Sequence, residues 1–176
     1  FYNPRAQHSA EALSAVVKTM ADRIIYRGPD SWGSWTEEKV GLAFGHRRLS
    51  ILDLSAEGHQ PMVSASRRYT ICYNGEVYNF QELQATLQQK GHRFRGHSDT
   101  EVMLACFEEW GLYESIQKFN GMFAFALWDA KDRKLHLVRD RMGIKPLYYG
   151  WSRGVFLFGS ELKAMRVHPS WQEEID

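Results

Sequence analysis

The chain has 176 residues, of which 44% are hydrophobic and 14% aromatic, and its 22 basic and 21 acidic residues leave a net charge of +1. That length fits one domain with a sizeable core, and that apolar content excludes intrinsic disorder. Charge near zero without basic runs excludes a nucleic-acid or anionic-membrane surface. No apolar run approaches the ~18 residues of a membrane helix, and two cysteines, Cys72 and Cys106, make no disulfide framework, which suits a reduced, cytoplasmic setting.

Leu13, Val16, Val17, Met20 and Ile24 repeat at helical spacing behind a Ser9 N-cap, which predicts an amphipathic helix over 10–25. Gly28 and Pro29 end it. Residues 31–35 and 40–46 read as strands around a turn at Glu37-Glu38-Lys39. Arg47 and Arg48 follow against a β-prone apolar run. An arginine there suits bidentate capture of a carboxylate, and a solvated surface pair fits the same residues. Residues 54–68 read as a loop.

Residues 69–73 are β-prone and run into Asn74-Gly75-Glu76, which reads as a sharp turn at a strand end. Such a turn groups an amide, an unhindered backbone N–H and a carboxylate, a set that can stabilise an oxyanion and hold an ammonium group. On local sequence alone an ordinary hairpin turn is the commoner reading of these residues. Asn79 with Glu82, and Ser98 with Glu101, have capping-box spacing, predicting helices over 80–90 and from Ser98 to a stop at Gly111. Asp99 then sits in a first helical turn, as a dipole-favoured acid or as a carboxylate aimed into a pocket.

Residues 121–128 are apolar on both faces, predicting a strand covered on both sides. Residues 134–139, 147–151 and 154–158 read as further strands, 139–146 as a charged loop, and Ser160 as the cap of a last short helix. Two packed sheets with helices outside would cover so many strands. Cys72 reads as a strand-interior thiol with no histidine beside it in sequence, Cys106 as a core residue, and the seven histidines show no metal spacing.

Seven segments in order carry a family resemblance: RGPD at 27–30, GHRRLSILD at 45–53, GHQPM at 58–62, YNGEVYN at 73–79, SDTE at 98–101, GMFAFALWD at 121–129 and RDRMGIKPLYY at 139–149. Together they resemble the glutaminase domain of class II glutamine amidotransferases, with RLSILD closest to the asparagine synthetase type. The resemblance implies an α+β fold, the N-terminal-nucleophile hydrolase-like four-layer α/β/β/α sandwich, over 1–176. It implies hydrolysis of glutamine to glutamate and ammonia for asparagine biosynthesis.

It further implies that Arg48 clamps the substrate α-carboxylate and that the backbone of Leu49, Ser50, Ile51 and Leu52 lines the pocket. Asn74 and Gly75 form the oxyanion hole, and Glu76 and Asp99 hold the α-ammonium. The family nucleophile, a cysteine at the mature N terminus, is absent from this sequence, which is expected to lack its extreme N-terminus. No metal or cofactor is expected in this domain. ATP and Mg are expected for a C-terminal synthetase domain of the same polypeptide, and a homodimer is allowed for. The competing expectation is a nucleophile-less glutamine-binding or partner-docking module of the same fold.

Overall fold

The computed structural model describes residues 1–4, 8–49 and 58–172, and the chain divides into two compact units, Phe1–Leu49 with Pro146–Asp176, and Ser50–Lys145. In the first unit, helix α1 (Ala10–Asp22) is capped by Ser9, whose Oγ accepts the Ala12 N–H at 3.3 Å. It buries Leu13, Val17 and Met20 against Ala43, Val155, Leu157 and Met165. The helix stops short of the expected residue 25. Arg23 and Ile24 donate to carbonyls three residues back, and Ile25–Arg27 forms a 3-10 turn. That tighter winding delivers Gly28 to the backbone of Arg47, where an added Cβ would stand 2.4 Å from the carbonyl carbon.

Strands β1 (Ser31–Glu37) and β2 (Leu42–Arg48) pair antiparallel from Ser31 opposite Arg48 to Glu37 opposite Leu42. The turn expected between them is a 3-10 helix, Glu38–Val40, closed by Gly41 at φ 68°. At the other end of this unit, β7 (Tyr148–Ser152) pairs with β8 (Val155–Gly159), and α5 (Leu162–Met165) follows. The N-cap of α5 is Glu161, not Ser160. Tyr2 bridges to both Leu42 and Phe156 and so links the two hairpins.

The second unit is one antiparallel sheet in the order β3-β4-β5-β6. Its strands are β3 (Met62–Val63), β4 (Tyr69–Val77), β5 (Gly121–Asp129) and β6 (Lys134–Arg139). Helices α2 (Phe80–Gln89), α3 (Asp99–Trp110) and α4 (Leu112–Lys118) join its core. Ile71, Tyr73, Val77, Phe123, Phe125 and Leu127 from the strands pack with Leu83, Leu87, Met103, Cys106 and Phe107 from the helices. Residues 123–129 of β5 are all buried, as its two apolar faces require.

Three expectations change here. Asn74-Gly75 is not a turn: β4 runs through it, with Asn74 opposite Ala124, Gly75 opposite Phe123 and Glu76 opposite Met122. Gly75 is needed for close approach, since an added Cβ would lie 2.2 Å from the Met122 carbonyl oxygen. The capping box at Asn79 does not form: its Nδ2 donates to Lys118 O and its Oδ1 accepts from Asn120 N, both at 3.0 Å, tying the start of α2 to the end of α4. Helix α4 is not among the expected elements. Gly111, at φ 77°, breaks α3 and the chain re-enters helix at once, burying Leu112 and Ser115.

Candidate active site

Strand β4 supplies the centre. Ladder parity decides which way each of its backbone groups points. Arg68 O and Tyr78 N bond to the β5 side, at Ala130 and Asn120, so the even-numbered residues of β4 face β5. The odd-numbered residues face β3, where Tyr69 O accepts from Ser64 N at 2.8 Å. But β3 ends after two residues. Beyond it no strand among the described residues pairs with the N–H groups of Tyr73, Gly75 and Val77.

Side chains take two of the three. Gln60 Oε1 accepts the Tyr73 N–H at 2.7 Å, and Asp99 Oδ2 accepts the Val77 N–H at 3.0 Å. The Gly75 N–H between them has no acceptor among the described residues. Next to it, Asn74 Nδ2 is buried and also has no partner among the described residues. Two adjacent residues therefore carry unspent donors. Buried donors are nearly always paired, so an unpaired one calls for a ligand or a function.

Asp99 opens α3 behind its N-cap, Ser98, whose Oγ accepts the Thr100 N–H at 3.1 Å. Its carboxylate is buried, at 5% exposure. Tyr73 Oη donates to Oδ2 at 2.7 Å, beside the Val77 N–H, while the Thr100 hydroxyl approaches Oδ1 at 3.5 Å. No lysine or arginine among the described residues pairs with it. Burial raises its pKa above the usual carboxylate value, and the hydrogen bonds from Tyr73, Val77 and Thr100 only partly offset this. A buried acid held this way favours the arrival of a cation. Glu76, half-buried, lies between these groups in β4.

The two arginines of β2 separate into different roles. Arg47 pairs with Asp22 of α1 and lies against Ala21 O, so it is structural. Strand alternation turns Arg48 to the opposite face. The RGPD segment props this strand end: Gly28 packs on the Arg47 peptide, and Asp30 N donates to Arg48 O at 3.1 Å. Leu49 is 53% exposed. The expected pocket residues Ser50, Ile51 and Leu52 lie outside the described residues.

The structure thus gathers Asn74, Gly75, Glu76 and Asp99 within the second unit, and carries Arg48 and Leu49 in the first. Two participants escape the sequence reading. Gln60 sits in a segment that reads as a loop, and Tyr73 looks like any strand aromatic. Neither thiol is poised for attack: burial pushes Cys72 and Cys106 each up to about 12. Among the described residues no group of His, Cys, Asp and Glu is arranged to hold a metal ion. No helix among them is long and apolar enough to cross a membrane.

Comparison with known proteins bears on the family and the fold. The chain is 43% identical over 159 residues to asparagine synthetase [glutamine-hydrolyzing] 3 of Bacillus subtilis, covering 89% of this chain and 25% of that protein. It is 41% identical over 179 residues to asparagine synthetase [glutamine-hydrolyzing] 2 of the same organism, covering 98% of this chain and 23% of that one. The chain therefore spans about a quarter of the length of these curated relatives. Among solved structures, the glutamine phosphoribosylpyrophosphate amidotransferase of B. subtilis, complexed with ADP and GMP, superposes with a TM-score of 0.75 at 21% identity, over 89% of this chain and 41% of that one. That likeness bears out the expected α+β, N-terminal-nucleophile hydrolase-like fold. A family model described as a glutamine amidotransferase domain matches residues 4–176, and with unspent donors and a waiting acid at its centre, the chain belongs to the glutamine amidotransferase domain family.

Proposed function

We propose that this domain hydrolyses the side-chain amide of glutamine to glutamate and ammonia, and that a synthetase domain of the same polypeptide consumes the ammonia. The observation that carries the reading is the pair of unspent donors on β4, the Gly75 N–H and the buried Asn74 Nδ2. Attack on an amide carbonyl puts negative charge on its oxygen. Donors fixed in a strand before that charge develops lower the barrier, each by roughly 2.7–4 kcal/mol.

The buried Asp99 with Glu76 takes the α-ammonium, and Arg48 takes the α-carboxylate, as the family resemblance implies. The nucleophile is the family's N-terminal cysteine, lying upstream of Phe1 in the mature polypeptide. Its thiolate adds to the δ-carbonyl carbon, the C–N bond breaks, and ammonia leaves carrying the proton taken from the thiol. Water then cleaves the thioester, releasing glutamate and restoring the thiol. The cysteine's own α-amine moves these protons. The glutaminase step uses no metal or cofactor. The acceptor is aspartate or another carboxylate, and ATP with Mg would serve its amidation in the downstream domain, in the cytoplasm.

The test is a glutaminase assay on the full gene product, with the mature N terminus read by intact mass. Glutamate release that disappears with Arg48→Ala and with replacement of the N-terminal cysteine is expected. Glutamine binding without turnover, in a chain proven to carry that cysteine, favours the non-catalytic module.

A further inference from the structure

The Asp99 carboxylate is gripped by two short bonds on one oxygen and by a longer one on the other. Tyr73 Oη, at 2.7 Å, and the Val77 N–H, at 3.0 Å, both converge on Oδ2. Oδ1 keeps a 3.5 Å approach from Thr100 Oγ1. The tyrosine is itself 3% exposed, packed in the sheet core and held at its backbone by Gln60. Its ring therefore has one position, and its hydroxyl fixes the carboxylate plane. Burial raises the pKa of the hydroxyl, and the neighbouring Asp99 charge raises it further, so the hydroxyl stays a donor.

We infer that Tyr73 is the positioning residue for α-amine recognition: by holding Asp99 Oδ2 it aims Oδ1 at the substrate ammonium and keeps the acid from turning away. This rests on the glutaminase reading above and adds a residue to which no role was assigned. Three features support it. The bond joins two residues that are both almost wholly buried, where a hydrogen bond to an anion counts most. The two short bonds gather on one oxygen, and the Thr100 hydroxyl reaches the other only at 3.5 Å. And no lysine or arginine among the described residues neutralises the acid, so an incoming ammonium is the cation that fits.

A structural role for the hydroxyl would lower every activity alike. An aiming role lowers only what depends on the amine. The experiment compares glutamine with its deamino analogue, 4-carbamoylbutanoate, on the full-length gene product. Wild type should prefer glutamine in kcat/KM. Tyr73→Phe should reduce that preference roughly 10-fold, mainly through KM for glutamine.

Asp99→Asn should reduce it at least as much, and the double variant should lose no more preference than Asp99→Asn alone. An equal loss on both substrates, an unchanged preference, or additive losses in the double variant would each overturn the inference. If wild type binds glutamine without releasing glutamate, the hydrolysis reading fails but this one is still tested, as the ratio of the two dissociation constants by calorimetry. Circular dichroism and thermal midpoints confirm that each variant folds. If Tyr73→Phe does not fold, 4-fluorophenylalanine placed at position 73, which keeps the ring's shape and removes the donor, is compared by the same ratio, and an unchanged ratio overturns the inference.

Discussion

Gln60 Oε1 accepts the Tyr73 N–H at 2.7 Å, so a side chain continues the pairing of β4 where β3 stops. The amide does the work of a third β3 residue without extending the strand across Gly75. Replacing Gln60 with leucine keeps the volume close and removes the acceptor. The buried N–H then loses that acceptor, at a cost of about 1–3 kcal/mol. The urea midpoint should fall accordingly, with glutamate release falling alongside it. A wild-type midpoint would mean that the amide holds nothing.

Asn74→Ala should separate stability from turnover. Its Nδ2 bonds to nothing among the described residues, so losing it removes an unsatisfied buried donor. The thermal midpoint should not fall. The kcat for glutamate release should drop about 100- to 1000-fold with little change in KM, because the donor acts on charge formed in the transition state. A rise in KM at constant kcat would assign Asn74 to ground-state binding instead.

Gly75→Ala is expected to fail for a different reason. The new Cβ would sit 2.2 Å from Met122 O and 2.7 Å from Phe123 Cα, so β4 and β5 must separate locally. Overpacking of this kind costs about 1–3 kcal/mol. Gly150→Ala is the control, since a Cβ added there would meet nothing within 4 Å. Denaturation curves should show a large shift for the first and almost none for the second.

Two buried acids give opposite pH slopes. Burial raises the Asp99 pKa above 3.8, so the folded state binds its proton more tightly than the unfolded chain. Its contribution to stability is full below pH 3.8 and is lost as pH rises through the raised value. Asp129 is the reverse. Desolvation alone would raise it, but bidentate bonds from Arg68, at 3.0 and 2.6 Å, outweigh that and lower it. Its contribution is full above pH 3.8 and is lost as pH falls through the folded value. Urea titrations of Asp99→Asn and Asp129→Asn across acid pH should therefore differ from wild type with opposite slopes. Glutamine affinity should rise with pH through the Asp99 value, since an ammonium needs the ionised form.

With its pKa pushed up to about 12, the Cys72 thiol is not an attacking group at neutral pH. Cys72→Ala should retain glutaminase activity. An electrophilic glutamine analogue should leave Cys72 unmodified by peptide mass mapping. Labelling of Cys72 would revive it as the nucleophile.

The amino-acid sequence is legible wherever the signal is local. The 134–139 strand matches β6, and Ser9 and Ser98 cap the helices they precede. What it hides is set by distant partners. Asn-Gly reads as a turn from its neighbours alone, yet the register with Phe123 and Met122 holds it extended. Asn79 has the right spacing for a capping box, but Lys118 and Asn120 take its amide first. The roles of Gln60 and Tyr73 depend on a strand that stops after two residues, and no local pattern marks where a ladder ends. Asn74, Gly75, Glu76 and Asp99, which the second unit gathers, all fall inside the quoted motifs, while the reason the donors of Asn74 and Gly75 are unspent among the described residues is not legible there.

The two-residue length of β3 has one more consequence, in exchange with solvent. Tyr73 and Val77 amides are sealed by Gln60 and Asp99, whereas the Gly75 amide between them has no acceptor among the described residues. In heavy water this strand should therefore show a single fast site flanked by slow ones. When a ligand carrying a carbonyl oxygen occupies the site, that one amide should slow and its neighbours should hardly change. The gap in the ladder makes Gly75 a built-in reporter of occupancy, readable at one residue without any label.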